Sequence, residues 1–135
     1  MKKNKVPFSP ICFKGRTLYL LDQRKLPACE HWIPCRTSRA VWKAIRTMVV
    51  RGAPAIGIAA GYGLYLGIDA FKGSREAFLR KIFKEARYLD SARPTARNLA
   101  YAVERILHRV SLSSSDQVLH LKKIAFQEAK RIHQE

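Results

Sequence analysis

Arg51-Gly52-Ala53-Pro54 stands at the head of a run that carries no charge from Gly52 through Ile68. Proline suits the first position of a helix, where its missing N–H finds no partner anyway and its φ is already helical. The N–H groups of Gly52, Ala53 and Ala55 then lie unpaired near the positive end of the helix dipole. That is a seat for a phosphate or carboxylate, with Arg51 at its rim. Ala92-Arg93-Pro94-Thr95 repeats the design, an arginine and a proline at the mouth of a second predicted helix. Arg51, Gly52, Ala53 and Arg93 are therefore the candidate binding residues, and the ligand they point to is a small anion.

Other chemistries find less support. Cys12, Cys29 and Cys35 are odd in number and follow no secretory signal, which sets the expectation of a reduced, cytoplasmic setting. Cys29-Glu30-His31 with Cys35 fits no common zinc spacing, so no metal is expected. Neither a Gly-x-Gly-x-x-Gly fingerprint nor a Gly-Lys-Ser/Thr loop occurs, and no cofactor is expected. His31, His108, His120 and His133 are scattered, and the last three are expected on helix surfaces. Trp32, Trp42, Tyr62 and Tyr65 are expected to fill core or interface rather than to stack on bases.

The chain has 135 residues and a formal charge of +16, and residues 1–50 hold 11 Lys and Arg against 2 acids. Such a balance permits binding to nucleic acid, anionic lipid or acidic protein. No run exceeds Lys2-Lys3-Asn4-Lys5, so a solvated basic face is the default and nucleic acid ranks last among the partners considered. The charge-free run is broken by Gly57, Gly61, Gly63 and Gly67. It also falls short of the about 20 apolar residues that a membrane span needs, so a buried helix is expected and no membrane partner.

Residues 1–10 read as a polar basic tail and residues 11–135 as one domain, mainly α with a short β-hairpin. Ile11, Phe13, Leu18, Leu20 and Leu21 flank a Lys14-Gly15-Arg16 turn, with Thr17 to Asp22 as the second strand. Gln23 to Pro34 is expected to be irregular. Ser38 caps a helix through Val49, and Pro54 opens one that runs to about Phe71. Ser74 caps the next, with Phe78, Leu79, Ile82, Phe83, Ala86 and Leu89 on its apolar face. Thr95 caps a fourth that carries Ala96, Leu99, Val103, Ile106, Leu107 and Val110. A last helix starts near Asp116 and keeps Val118, Leu121, Ala125, Ala129 and Ile132 on one face up to Glu135. That face is expected to need a partner outside the chain, and the chain is expected to be truncated.

Three groups of segments carry a resemblance. They are Leu20 through Pro27, then Ala44-Ile45-Arg46 with Met48 through Gly57, then Ala92 through Ala96 with Asn98-Leu99. In order and spacing the chain resembles the N-terminal part of the S-methyl-5-thioribose-1-phosphate isomerase family, related to the regulatory subunits of translation initiation factor 2B. The resemblance implies a helical N-terminal domain in which Arg51, Gly52, Ala53 and Arg93 contact a phosphorylated sugar, methylthioribose 1-phosphate or a related pentose phosphate. It implies aldose–ketose isomerisation within methionine salvage, performed by a cysteine and an aspartate of a C-terminal Rossmann-like domain. No segment here matches that domain, so it is expected to be absent, no catalytic residue is assigned, and the chain alone is expected to be inactive. Homodimers are the family's usual assembly, and the missing domain could stand on another chain. Arg97 departs from the apolar residue usual in the family and follows Arg93 by four positions. Two alternatives stay open: a non-catalytic regulatory or interaction module akin to the initiation-factor subunits, and a basic nucleic-acid-binding module.

Overall fold

A computed structural model describes residues 9–135, and residues 1–8 of the basic tail lie outside it. Strands β1 (Ile11–Lys14) and β2 (Thr17–Leu21) form the expected hairpin, with Ile11 opposite Leu20 and the turn closed by Gly15 at φ 61°. The next segment is more ordered than expected. After a short 3-10 turn at Gln23–Lys25, β3 (Trp32–Cys35) pairs antiparallel with β2 and completes a three-stranded sheet in the order β1-β2-β3. Pro34 lacks an N–H to donate, but β3 is an edge strand, where proline is tolerated.

Asp22 fastens this sheet to the rest. Its buried carboxylate accepts hydrogen bonds from the Arg24 backbone N at 3.0 Å, from Nε at 2.9 Å and from Nη2 at 2.8 Å. The next residue, Gln23, donates its backbone N to the Val49 carbonyl at 3.0 Å. The hairpin and the segment that leads to the charge-free helix are thereby held together.

Five α-helices follow among the described residues: α1 (Ser38–Arg46), α2 (Ala53–Ile68), α3 (Arg75–Asp90), α4 (Arg97–Leu112) and α5 (Val118–Gln134). The cap of α3 is Ser74, as expected, accepting from the Ala77 N at 3.1 Å. That of α1 is Thr37, one residue ahead of the predicted Ser38. At its other end α1 stops before Val49. Met48 takes φ 69°, and the Val49 N turns back to the Ala44 carbonyl at 2.9 Å, a closing motif usually built on glycine. In the same way α2 ends at Ile68, short of Phe71. The start of α4 is corrected by one residue, its N-cap being Ala96 and not Thr95. The Ala96 N donates to the Arg93 carbonyl at 2.9 Å, so Arg93-Pro94-Thr95-Ala96 is a reverse turn and Thr95 caps nothing.

A helix that is apolar all round has no face to offer water and must sit inside. Accordingly α2 packs against the four other helices, and Ala59, Ala60, Leu64 and Ile68 are fully enclosed. Around it α3 buries Phe78, Ile82, Ala86 and Leu89, while Phe83, expected in that row, is 53% exposed. A further correction concerns α5. Leu121, Ala125 and Ala129 are buried, with α2 and α4 as neighbours, so the face expected to need an outside partner is covered within the chain. Glu128 joins α5 to α4 through Arg105, and Arg131 adds a bond of 2.9 Å. Burial pushes this carboxyl up, but the hydrogen bonds from the two arginines outweigh it and hold it below the usual range. His133 is not a surface residue either. Its Nδ1 meets the Tyr62 hydroxyl at 2.7 Å, and burial lowers its pKa.

The Arg24 guanidinium holds the Asp22 carboxyl at about 2, below its ordinary 3.8. A depressed acid stabilises the fold above its unfolded pKa, and the contribution disappears as pH falls through the folded value. Asp22→Asn is expected to lower stability at pH 7 by about 1 kcal/mol, Arg24 being half exposed. Urea unfolding should show that deficit shrinking as the pH is taken from about 4 toward 2. A deficit that stays constant over that range would show that the charge is not what the fold uses.

Candidate functional site

The chain enters α2 through a sharp bend. Gly52 is the N-cap residue at φ 90°, a value that a side chain rarely tolerates, with Ala53 and Pro54 in the first turn. The first bond of the helix ladder runs from the Ile56 N to the Gly52 carbonyl at 3.0 Å. No hydrogen bond among the described residues uses the N–H groups of Gly52, Ala53 or Ala55. Pro54 therefore occupies the second helical position and not the first, while the unpaired donors are those expected.

The second arginine comes to the same place. Arg51, Gly52, Ala53 and Arg93 line one cleft of about 410 Å³, together with Met48, Ile56, Thr95, Ala96, Arg97 and Asn98. The first turns of α2 and α4 thus border a common hollow. What allows this is Gly57. A Cβ there would stand 3.0 Å from the Asn98 carbonyl oxygen, so only glycine lets the start of α4 settle so close to α2.

Electrostatically the cleft is one-sided. Its lining holds three arginines and no acid. None of the three takes part in an ion pair among the described residues. Two helix starts add partial positive charge from their free N–H groups. Such a hollow attracts anions, and an arginine fork suits the paired oxygens of a phosphate. Met48, Ile56, Thr95 and Asn98 are lining residues that sequence reasoning did not single out. Met48 reaches the rim because it ends α1 in the left-handed region, which no sequence pattern signals for methionine.

A larger hollow of about 500 Å³ lies at the opposite end of α2, but its central groups already satisfy one another. There Asp69 pairs with Arg16 at 3.1 Å and accepts from the Tyr65 hydroxyl at 2.9 Å. Lys122 Nζ donates to the Asp69 carbonyl at 2.8 Å. The cysteines do not gather: Cys35 is buried in the core, where burial pushes its thiol up to about 11, and Cys29 is exposed. Among the described residues, no three His, Cys, Asp or Glu side chains are placed to hold a metal ion. No helix there is long and apolar enough to cross a membrane.

The described residues thus form a five-helix domain that carries a small antiparallel sheet and sets two arginines beside two helix starts. The sequence pattern of the Initiation factor 2 subunit family matches residues 49–135, and the chain belongs to that family. It is 42% identical over 127 residues to a 5-deoxyribose 1-phosphate isomerase of Bacillus cereus, covering 93% of this chain and 37% of that protein. To a methylthioribose-1-phosphate isomerase of Desulforamulus reducens it is 42% identical over 126 residues, covering 93% and 36%. The fold resembles the crystal structure of 5-methylthioribose 1-phosphate isomerase from Pyrococcus horikoshii, with TM-score 0.85, 34% identity and coverage of 96% and 39%. It also resembles the delta subunit of translation initiation factor eIF-2B from A. fulgidus, with TM-score 0.83, 34% identity and coverage of 93% and 36%. The chain spans a little over a third of the length of the curated relatives it matches.

Gly57→Val places a branched side chain against the backbone of Asn98 and is expected to destabilise the domain by about 2 kcal/mol or more. It should also lower affinity for an anion in the cleft, because α4 must move off α2. Denaturant unfolding combined with titration of inorganic phosphate tests both. Unchanged phosphate affinity in the folded variant would show that the cleft does not depend on this approach.

Proposed function

We propose that this domain supplies the phosphate-gripping part of the active site of a methylthioribose-1-phosphate isomerase-like protein. Its ligand is S-methyl-5-thioribose 1-phosphate or a closely related 5-deoxypentose 1-phosphate, and the full reaction is aldose-to-ketose isomerisation in methionine salvage in the cytoplasm. Arg51 and Arg93 grip the phosphate, and the free N–H groups at Gly52 and Ala53 complete the seat. The observation that carries the reading is the convergence of these four residues on one acid-free cleft. The names of the relatives support the choice of sugar, since two pentose 1-phosphates recur among them.

Moving hydrogen between C1 and C2 requires an acid–base pair. No residue of the cleft offers one, because arginine stays protonated and the remaining lining side chains do not titrate near neutrality. We assign that pair to a second domain or chain, and residues 11–135 to one N-terminal unit that binds but does not by itself catalyse. A regulatory or interaction module like the initiation-factor subunits shares the fold. The arginine pair favours the ligand reading, because a pure scaffold has no need of a phosphate seat.

Calorimetry with methylthioribose 1-phosphate should show binding that unphosphorylated methylthioribose does not. Arg51→Ala and Arg93→Ala should each weaken it by about tenfold or more, the usual size for a charge-assisted contact. Equal binding of the two sugars, or variants that bind like the parent chain, would remove the proposal.

A further inference from the structure

A phosphate fills only part of a hollow of about 410 Å³, and the arginines and free N–H groups account for only part of its lining. Much of the remainder is apolar: Met48, Ile56, Ala53 and Ala96. Ile56 is buried, but Met48 is 45% exposed. Among the described residues it is the one exposed large apolar side chain that borders this cleft. An isolated apolar side chain in water is ordinary on a protein surface. Here it coincides with a backbone that does not favour it. Met48, at φ 69°, is the one residue other than glycine with a positive φ among the described residues. In that region a Cβ crowds the following carbonyl, and glycine or asparagine enters it far more easily.

The backbone on either side holds residue 48 in place. The Met48 N donates to the Ile45 carbonyl at 3.3 Å, and the N atoms of Val49 and Val50 both turn to the Ala44 carbonyl, at 2.9 and 3.4 Å. Val49 and Val50 are buried, so the chain is anchored directly after the turn. This explains the conformation but not the side chain. Glycine would close α1 with less strain, and asparagine would also offer water a polar group. A methionine costs the fold something at this position, and it sets an unbranched thioether at the rim of the cleft.

We propose that Met48 is a specificity-determining residue: its side chain receives the apolar group at carbon 5 of the sugar, and so selects 5-deoxy and 5-methylthio pentose 1-phosphates over those with a hydroxyl or a phosphate there. The inference rests on the reading of this cleft as the seat of a sugar 1-phosphate. In such a ligand the phosphate leaves carbon 1 and the 5-substituent leaves carbon 4, on the two sides of the ring oxygen. With the phosphate among Arg51, Arg93 and the free N–H groups, the other end of the sugar is left to the apolar part of the lining. Methionine suits that end, because a flexible, polarisable thioether moulds itself to a methyl or methylthio group. A hydroxyl pressed against it would give up hydrogen bonds to water and gain none. A protein segment lying over Met48 would instead leave the chain, measured by itself, with no preference between the two kinds of sugar.

Calorimetry of the 135-residue chain with methylthioribose 1-phosphate, ribose 1-phosphate and inorganic phosphate is the test. The parent chain should bind methylthioribose 1-phosphate about tenfold tighter than ribose 1-phosphate, the usual size for one small apolar contact. Met48→Asn should abolish that preference by weakening methylthioribose 1-phosphate alone, with inorganic phosphate held as before, and Met48→Leu should keep it. Urea unfolding of Met48→Asn should show a midpoint no lower than the parent's, since asparagine accepts the left-handed region more easily. A lower midpoint would mean that the side chain serves packing and would overturn the proposal. So would a preference that survives Met48→Asn, or a loss shared equally by all three ligands. Tighter binding of a pentose 1,5-bisphosphate than of methylthioribose 1-phosphate would assign the far end of the cleft to Arg97 instead, which also overturns it. If the parent chain binds both sugar 1-phosphates equally, this inference fails and the phosphate seat stands. If it binds neither, the seat fails as well.

Discussion

A helix without a single charged side chain has to be surrounded, and most of the molecule is arranged to surround α2. Alanines and glycines along it keep its sides narrow. At Gly61 a Cβ would meet Ile106 and Ala129 at 3.5 and 3.7 Å, so α4 and α5 both come in close there. On another side Gly63 leaves room for Val41 of α1. The hydrophobic effect brings α2 inside, and its small residues decide how near each neighbour can come. The sheet is then placed by its link from Gln23 to Val49, at the segment from which α2 departs.

The cleft is a consequence of this packing. A helix start offers unpaired N–H groups, which must meet water, a side chain or a ligand. At α2 no side chain caps them, and at α4 the N-cap is Ala96, which has no polar group to offer. Two uncapped starts brought together at Gly57 and Asn98 leave an electropositive hollow. Arginines at positions 51, 93 and 97 deepen its charge, and each is held by backbone that leads directly into a helix. Met48 at φ 69° fits this pattern, since strained backbone that the surroundings maintain tends to collect at binding sites.

Much of this was legible in residue order, and what was not has identifiable physical causes. The hairpin followed from alternation around Lys14-Gly15-Arg16, and α2 from its lack of charge. Local sequence also names Arg51, Gly52, Ala53 and Arg93, because a helix mouth is a local structure. Pairing between distant segments was the harder part. Strand β3 is four residues long and holds a proline beside Trp32 and Ile33, too short a pattern to read as a strand until the free edge of β2 is there to pair with it. Thr95 looks like a cap because the reverse turn at Arg93 delays the helix by one residue. Phe83 falls one position outside the buried row of α3, a difference that a period of 3.6 blurs. For α5 the sequence showed an apolar face but not that α2 and α4 were there to receive it.

The basic residues teach the same lesson at a larger scale. Counting shows +16, and periodicity shows one stripe on α1 (Arg39, Lys43, Arg46) and one on α3 (Arg80, Lys84, Arg87), but neither tells how the stripes lie to one another. That depends on one seam, fixed by the Trp42–Tyr88 stack and the Ser38–Glu85 bond. The aromatic pair and Glu85 occupy the positions that would otherwise bring cations from both helices into contact. Lys81 pairs with Glu85 at 2.9 Å inside the seam, so the charge nearest the junction is neutralised. The six residues of the stripes are exposed and join no ion pair among the described residues, so water and salt screen their mutual repulsion. The fold can thus carry two concentrations of positive charge of different character. In the cleft, backbone N–H groups at two helix starts act together with arginines that converge on one place. On α1 and α3 the cations are solvated side chains spread along the helices, with no such convergence.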